Sequence, residues 1–366
     1  MLFHKHQLLF PLKIIAAALL VATFVISSNG QAQAHNNQHG FYRQTNLVSD
    51  IAGKASVTDP NLKNPWGITF GPQTPIWVAD NAVGRSTLYQ GTGQIVPVVV
   101  TVPPPAGQSD PSAPTGIAFN DSSDFVISNG TTTVSSRFIF ATEDGTIAGW
   151  SPNLNSPNAI TTVDNSAKGA VYKGLASGVD AGHNQLYATN FHAGTIDVFD
   201  AQFHWVKSFT DRFLPRGYAP FGIRNINGLL FVTFALQDAD KQDDVEGAGH
   251  GFVDIFSTDG HLLKRLISHS VLNSPWGLAM APDGFGRFSS TLLVGNFGDG
   301  RINAFKLSNG AFQGTLRDEH GHPLVNDGLW GLSFGNGVSG ATDSLFFTAG
   351  LNDEQNGLFG SINFVA

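Results

Sequence analysis

Between residues 236 and 251 the chain reads LQDADKQDDVEGAGHG, which places Asp238, Asp240, Asp243, Asp244, Glu246 and His250 within one short stretch. Carboxylates at that density are what a hard cation uses, and Ca²⁺ takes about six to eight oxygen ligands. The spacing is not that of an EF-hand, because counting from Asp238 the position that must be glycine is Asp243. A solvated acidic loop accounts for the same composition, although a long loop in a compact domain is often functional. A second group of oxygen donors, Asp80, Asn129, Asn190 and Asn296, stands at the ends of similar apolar runs. If those side chains converge they form a metal site for Ca²⁺ or Zn²⁺. If they do not, each only bonds the backbone of the turn that it opens. His192 and His250 are the candidate general bases or ligands, and Lys173 and Arg224 are candidate ligand-binding cations. The chain has no H-E-x-x-H, and G-x-S-x-G occurs as GLSFG (331–335) inside a repeated strand motif, so no nucleophile-elbow serine and no zincin motif is signalled. It also has no cysteine, which excludes disulfides, thiolate metal sites and a thiol nucleophile.

The elements that position these residues come in repeats. A short motif ending in glycine and an apolar residue returns at PWGI (Gly67), PTGI (Gly116), YKGL (Gly174), PFGI (Gly222), PWGL (Gly277) and LWGL (Gly331), in steps of 49, 58, 48, 55 and 54 residues. After each comes an apolar run that reads as a second strand: IWVAD (76–80), FVISN (125–129), LYATN (186–190), LFVTF (230–234), LLVGN (292–296) and LFFTA (345–349). Third strands follow in GTIDVFD (194–200), GFVDIFS (251–257) and GRINAFK (300–306), and fourth strands in HWVKSFT (204–210) and LLKRLIS (262–268). Six such units predict an all-β, six-bladed β-propeller with four-stranded blades.

The sixth unit lacks a fourth strand, because only Val365 and Ala366 follow GLFGSINF (357–364). TNLVSD (45–50) precedes NPWG much as RLISHSVL (265–272) precedes NSPWG, so the N-terminal strand is expected to complete the last blade and close the ring. The propeller then spans 45–366, behind a polar leader at 35–44.

Antiparallel order fixes which loops share a face. The loops between strands two and three, together with the blade-to-blade loops, gather at one mouth of the channel. That mouth is expected to carry Asp80, Asn81, Asn129, Asn190, His192, the acidic loop, Asn296, Asp299 and residues 352–354. ATEDGT (141–146) reads as a turn between strands three and four, on the opposite face. In NPWGITF, SPWGLAM and GLWGLSF the large residues share one parity and the small residues the other. Trp66, Trp276 and Trp330 are therefore expected between adjacent blades beside the Ile/Leu column, with glycine allowing close approach at the axis. Thr115 and Lys173 break the rule at the Trp position, and Arg224 breaks it on the small-residue face.

Turns such as ATNFHAGTIDVFD (188–200) and VGNFGDGRINAFK (294–306) resemble the NHL-type repeat of six-bladed propellers, although Thr195 stands where Arg301 keeps the pattern. RFIFATEDGTIAGW (137–150), taken with the Trp-Gly repeats, is similar to an uncharacterised family of exported bacterial propeller proteins. The resemblance covers essentially the whole mature chain and implies fold and export. It does not choose between propellers that only bind and those that act as lactonases, esterases or amidating lyases.

Composition sets the remaining bounds. Charged residues are 13 %, Gly and Phe are abundant at 42 and 29 residues, and the net charge is −8 with no basic cluster. This argues against nucleic acid as the partner. Lys5 and Lys13 with the apolar stretch 14–27 and AQA (32–34) read as a signal peptide cleaved after Ala34. With no membrane span after cleavage, a secreted or periplasmic monomer is expected. Two functions remain open: a binding protein that takes a small molecule, glycan or protein at the channel mouth, and a metal-dependent hydrolase or lyase.

Overall fold

The computed structural model describes residues 40–154 and 156–366, so the expected signal peptide and residues 35–39 of the expected leader lie outside the described residues. Six sheets, each with four antiparallel strands, form a ring, and the one that contains Phe41–Ser49 also carries a short parallel strand, Val57–Thr58, at its edge. Their first strands are Pro65–Thr69, Pro114–Phe119, Tyr172–Asp180, Tyr218–Ile226, Pro275–Met280 and Leu329–Phe334, which define blades 1 to 6. Each first strand touches those of the blades before and after it, and the sixth touches the first, so these strands surround the axis. Among the described residues no helix is long and apolar enough to cross a membrane.

The ring closes as expected. Phe41–Ser49 pairs antiparallel with Asn356–Val365 as the fourth strand of blade 6. It begins at Phe41, within the stretch expected to be leader. Tyr42 accounts for this: its buried ring stacks on Phe288 and its hydroxyl donates to the Phe285 carbonyl, which ties the segment to blade 5.

Blade 2 departs from the expected register. FVISN is not its second strand. Val126–Ser128 pairs with Thr133–Ser135 in an extra hairpin, and the second, third and fourth strands are Phe138–Thr142, Thr146–Trp150 and Ile160–Asp164. The Asn129-Gly130 step, with Gly130 at φ 86°, turns that hairpin. ATEDGT therefore joins strands two and three, and Glu143 and Asp144 lie on the mouth face rather than opposite it.

A bulge recurs at the same place in all six blades. One extra residue enters each first strand beside the motif glycine, as in Pro65↔Asp80 followed by Ile68↔Val78, and likewise in the other blades. A bulge re-aims side chains that strict alternation would place together. Ile68, Leu278 and Leu332 pack in the layers between blades, whereas Trp66, Trp276 and Trp330 turn inward and meet on the axis. The expectation that the tryptophans share the Ile/Leu layer is thereby corrected. Trp66 and Trp330 stack with ring centroids 3.5 Å apart, and Trp276 meets both edge-on at 6.0 and 5.8 Å. Phe221 of blade 4 completes this aromatic plug.

The glycine reading does hold. A Cβ on Gly277 would lie 2.5 Å from the Trp330 carbonyl oxygen, and one on Gly331 2.6 Å from that of Trp66. Gly67, Gly116 and Gly222 face the backbone of the next blade in the same way. Thr348 fastens one of these joints, since its hydroxyl accepts from the Gly331 N–H at 2.8 Å and donates to the Trp66 carbonyl at 2.6 Å.

Gly331→Ala is expected to lower unfolding stability by about 1–3 kcal/mol or more, since rigid backbone must move to admit the methyl group. Denaturant unfolding checks this, and an unchanged midpoint would contradict the backbone contact.

Candidate functional site

Above the aromatic plug the channel opens into a chamber of about 450 Å³. Trp66, Trp330 and Phe297 form its apolar floor, and Phe297 stacks on Trp330 at 4.1 Å. Asp243, Asp244, Glu246, Asp299, Asp327, Asp353 and Glu354 line its walls, with Lys173 the one basic residue among them.

The bulge explains Lys173. It occupies the plug position of blade 3, so its stem points to the axis and the residue is only 1 % exposed. Its ammonium pairs with Glu143 and, at 3.0 Å, with Asp243, and lies 5.2 Å from the Trp66 ring centroid. Burial disfavours the charge, but the two carboxylates outweigh it, and the lysine is held above its ordinary value.

From this pair a polar chain runs around the rim. The Asn81 amide donates to Glu143 at 2.8 Å, and the Asn64 amide donates to Asn81 at 3.2 Å and also to Glu354. The Asn64 carbonyl oxygen accepts from the Trp330 indole at 3.1 Å. Blades 4, 3, 2, 1 and 6 are thereby linked through side chains. The segment that aims Glu354 is strained, because Asn352, Asp353 and Glu354 have φ of 55°, 52° and 62° in succession. Left-handed backbone costs a non-glycine residue about 1–2 kcal/mol, and such strain collects at functional positions.

Two wall carboxyls hold protons toward neutral pH. Burial pushes Glu354 up to about 7, with the Glu143 charge adding to it against the Asn64 hydrogen bond. Burial likewise pushes Asp244 up to about 6. The Asp244 Oδ2 atom and the Trp66 indole N–H are buried without a hydrogen-bond partner. Orphaned polar atoms are rare in native interiors.

The structure separates the other expected site residues. Asp80 is fully buried behind the rim, where burial pushes its carboxyl well above the usual range. Asn129 sits in the extra hairpin and accepts from its own turn, at Thr131 and Thr132. Asn190 accepts from Ala193 and donates to Asp197, while Asn296 donates to Asp299 and to the Val271 carbonyl. The four are turn and core groups rather than a converging set. Among the described residues no three His, Asp or Glu side chains are placed to hold a metal.

His192 lies in a separate outer depression with Asp240 and Asp144, on the far side of Glu143 from Lys173's chamber. His250 faces its own loop, with Nδ1 2.9 Å from the Val245 carbonyl oxygen. Asp238 accepts from the Gln242 N–H within the loop, so only Asp243, Asp244 and Glu246 of that loop enter the chamber. Arg224 is not at the mouth but below the plug. Sequence reasoning missed Glu143, Asn64 and Asp327. Glu143 was legible from the 58-residue step into blade 3, the longest of the series, which leaves room for the extra hairpin.

No family model matches this chain. Two relatives come from Acanthamoeba polyphaga mimivirus: the uncharacterized protein R648, 36 % identical over 328 residues that cover 86 % of this chain and 78 % of that one, and the uncharacterized protein L690, 32 % identical over 327 residues that cover 86 % and 84 %. Among solved structures, virginiamycin B lyase from Staphylococcus aureus superposes with a TM-score of 0.52 at 14 % identity, covering 89 % of this chain and all 100 % of that chain. A streptogramin B lyase superposes at 0.53 and 15 %, covering 89 % and 98 %. At those identities the likeness is one of fold.

Glu354 carries a pH signature. Its folded value of about 7 lies above the ordinary glutamate value of 4.5, so the folded state holds a proton that the unfolded state has lost between those values. Stability from this group is present below the lower value and is lost as pH rises through the upper one. Glu354→Gln should therefore gain stability relative to wild type on going from pH 5 to pH 8 in thermal melts, and a difference independent of pH would contradict the burial of this carboxyl.

Proposed function

The chain belongs to the same protein family as these two viral relatives, and from the chemistry of its mouth we propose that it is a binding protein for an organic cation. The supporting observation is the chamber itself: seven carboxyl side chains stand over an aromatic floor, and the single lysine is already neutralised by Glu143 and Asp243. A small ammonium or guanidinium compound would meet the partly exposed Phe297 ring of the floor through cation–π attraction, and the walls would balance its charge. The wall carboxyls, Asp244 and Glu354 among them, are acceptors for its N–H groups. A closed aromatic plug gives such a ligand a rigid base, which lowers the ordering cost of binding.

Acid–base chemistry is the second reading, favoured by Glu354 and Asp244 with values of about 7 and about 6, the range a general acid needs. A metal-dependent hydrolase or lyase gains no support, because its expected ligands stand apart. Export is part of the proposal and rests on the signal-like residues 1–34. A mature protein whose mass begins at His35 would support it, and retention of residue 1 in the folded product would count against it.

Tryptophan fluorescence titrated with benzyltrimethylammonium tests the binding reading. Saturable quenching is expected, weakened by salt, with at least tenfold loss in Glu354→Gln or Asp244→Asn. A neutral isostere that binds equally well would overturn it, as would no response at millimolar concentration. Turnover of a bound amine that disappears in Glu354→Gln while binding survives would favour the second reading instead.

A further inference from the structure

Below the plug the channel continues as a second chamber of about 260 Å³, lined by small and apolar residues together with Thr69, Ser177, Asn225 and Arg224. Arg224 stands two residues after its motif glycine, where the other blades place Thr69, Ala118, Ala176, Ala279 and Ser333. Its side chain crosses the channel instead of folding back on its own blade. Nη1 donates to the carbonyl oxygens of Leu278 at 3.1 Å and Leu332 at 2.6 Å, and Nη2 donates to the Ser333 hydroxyl at 3.1 Å.

Those three acceptors are neutral. No Asp or Glu lines this chamber, and among the described residues no carboxylate pairs with the guanidinium. Lys173, the other cation on the axis, has two carboxylates beside it. Arg224 is partly buried, and a charge drawn even partly out of water without a counter-charge is costly. Burial alone draws Arg224 down to about 10, which still leaves it charged at neutral pH.

A guanidinium has five N–H donors, and the three bonds above leave one on Nε and one on Nη2. Those atoms form the side-on edge with which arginine holds an anion through paired hydrogen bonds. We propose that the far chamber is an anion site, in which a small monovalent anion such as chloride or a short carboxylate sits against the free edge of Arg224 with the Thr69 and Ser177 side chains nearby. The plug separates this site from the acidic mouth, so its occupancy does not depend on the function of the mouth chamber. A wholly structural Arg224, bracing blade 4 against blades 5 and 6, would show no preference for one anion over another.

The test melts the protein in sodium chloride, sodium acetate and sodium gluconate at equal sodium concentration, gluconate being the bulkiest of the three anions and the least able to lie flat against the guanidinium edge. Wild type should melt a few degrees higher in chloride and acetate than in gluconate, with a saturable dependence on the smaller anions. Arg224→Met should lose that difference, and Arg224→Lys, which keeps the charge without the fork, should keep part of it. Equal melting of wild type in all three salts overturns the proposal, as does an unchanged anion response in Arg224→Met. If Arg224→Met does not fold, wild-type crystals soaked in bromide decide. An anomalous peak within hydrogen-bonding reach of the guanidinium supports the site, and a chamber without bromide overturns it.

Discussion

Where the first strands of neighbouring blades meet at the axis, backbone lies directly against backbone. The ring can be that narrow only because each blade presents a glycine to the next, with no Cβ between Gly277 and Trp330 or between Gly331 and Trp66. The bulge beside each glycine has a second effect, because it swings the neighbouring side chain off the blade and into the channel. The contents of the channel are therefore set by the six residues at those positions: Trp66, Thr115, Lys173, Phe221, Trp276 and Trp330. Four are aromatic and seal the axis, and one brings a charge to the underside of the mouth.

That seal divides the channel into two electrostatic environments. Above it, carboxylates outnumber the one ammonium, and below it a guanidinium faces only neutral oxygens. A low-dielectric aromatic layer between them limits screening by water, so each chamber keeps its own sign. The overall charge of −8 conceals this division. What matters is where the fold places its few charges.

The repeat and the closing of the ring were legible because both rest on features that recur: glycine at a fixed place in each unit, and strand patterns separated by turn residues. The inward turn of the tryptophans was not legible. Period-two parity assumes that every residue advances the strand equally, and a bulge of one residue reverses parity without changing composition. Lys173 was found anyway, as an exception at a repeated position, whereas its partner Glu143 was lost when Val126–Ser128 was read as a second strand. The Asp and Asn positions at strand ends showed the opposite failing. They align in sequence because turns need them, and alignment along the chain does not bring Asp80, Asn129, Asn190 and Asn296 together in space.

Blade 6 joins two parts of the chain that are made at different times. Its outer strand, Phe41–Ser49, is among the first of the described residues to be synthesised, yet its hydrogen-bonding partner, Asn356–Val365, is the last. The Ser49 hydroxyl bonds the Gly357 carbonyl across 308 positions of sequence. Blades 1 to 5 are built from consecutive strands and can pair as they emerge, but they remain an open arc with both ends unpaired. Closure is thus a contact of very long sequence separation, the slow kind in folding. The finished ring therefore depends on both strands at once: without either Phe41–Ser49 or Asn356–Val365, blade 6 stays incomplete and the arc stays open.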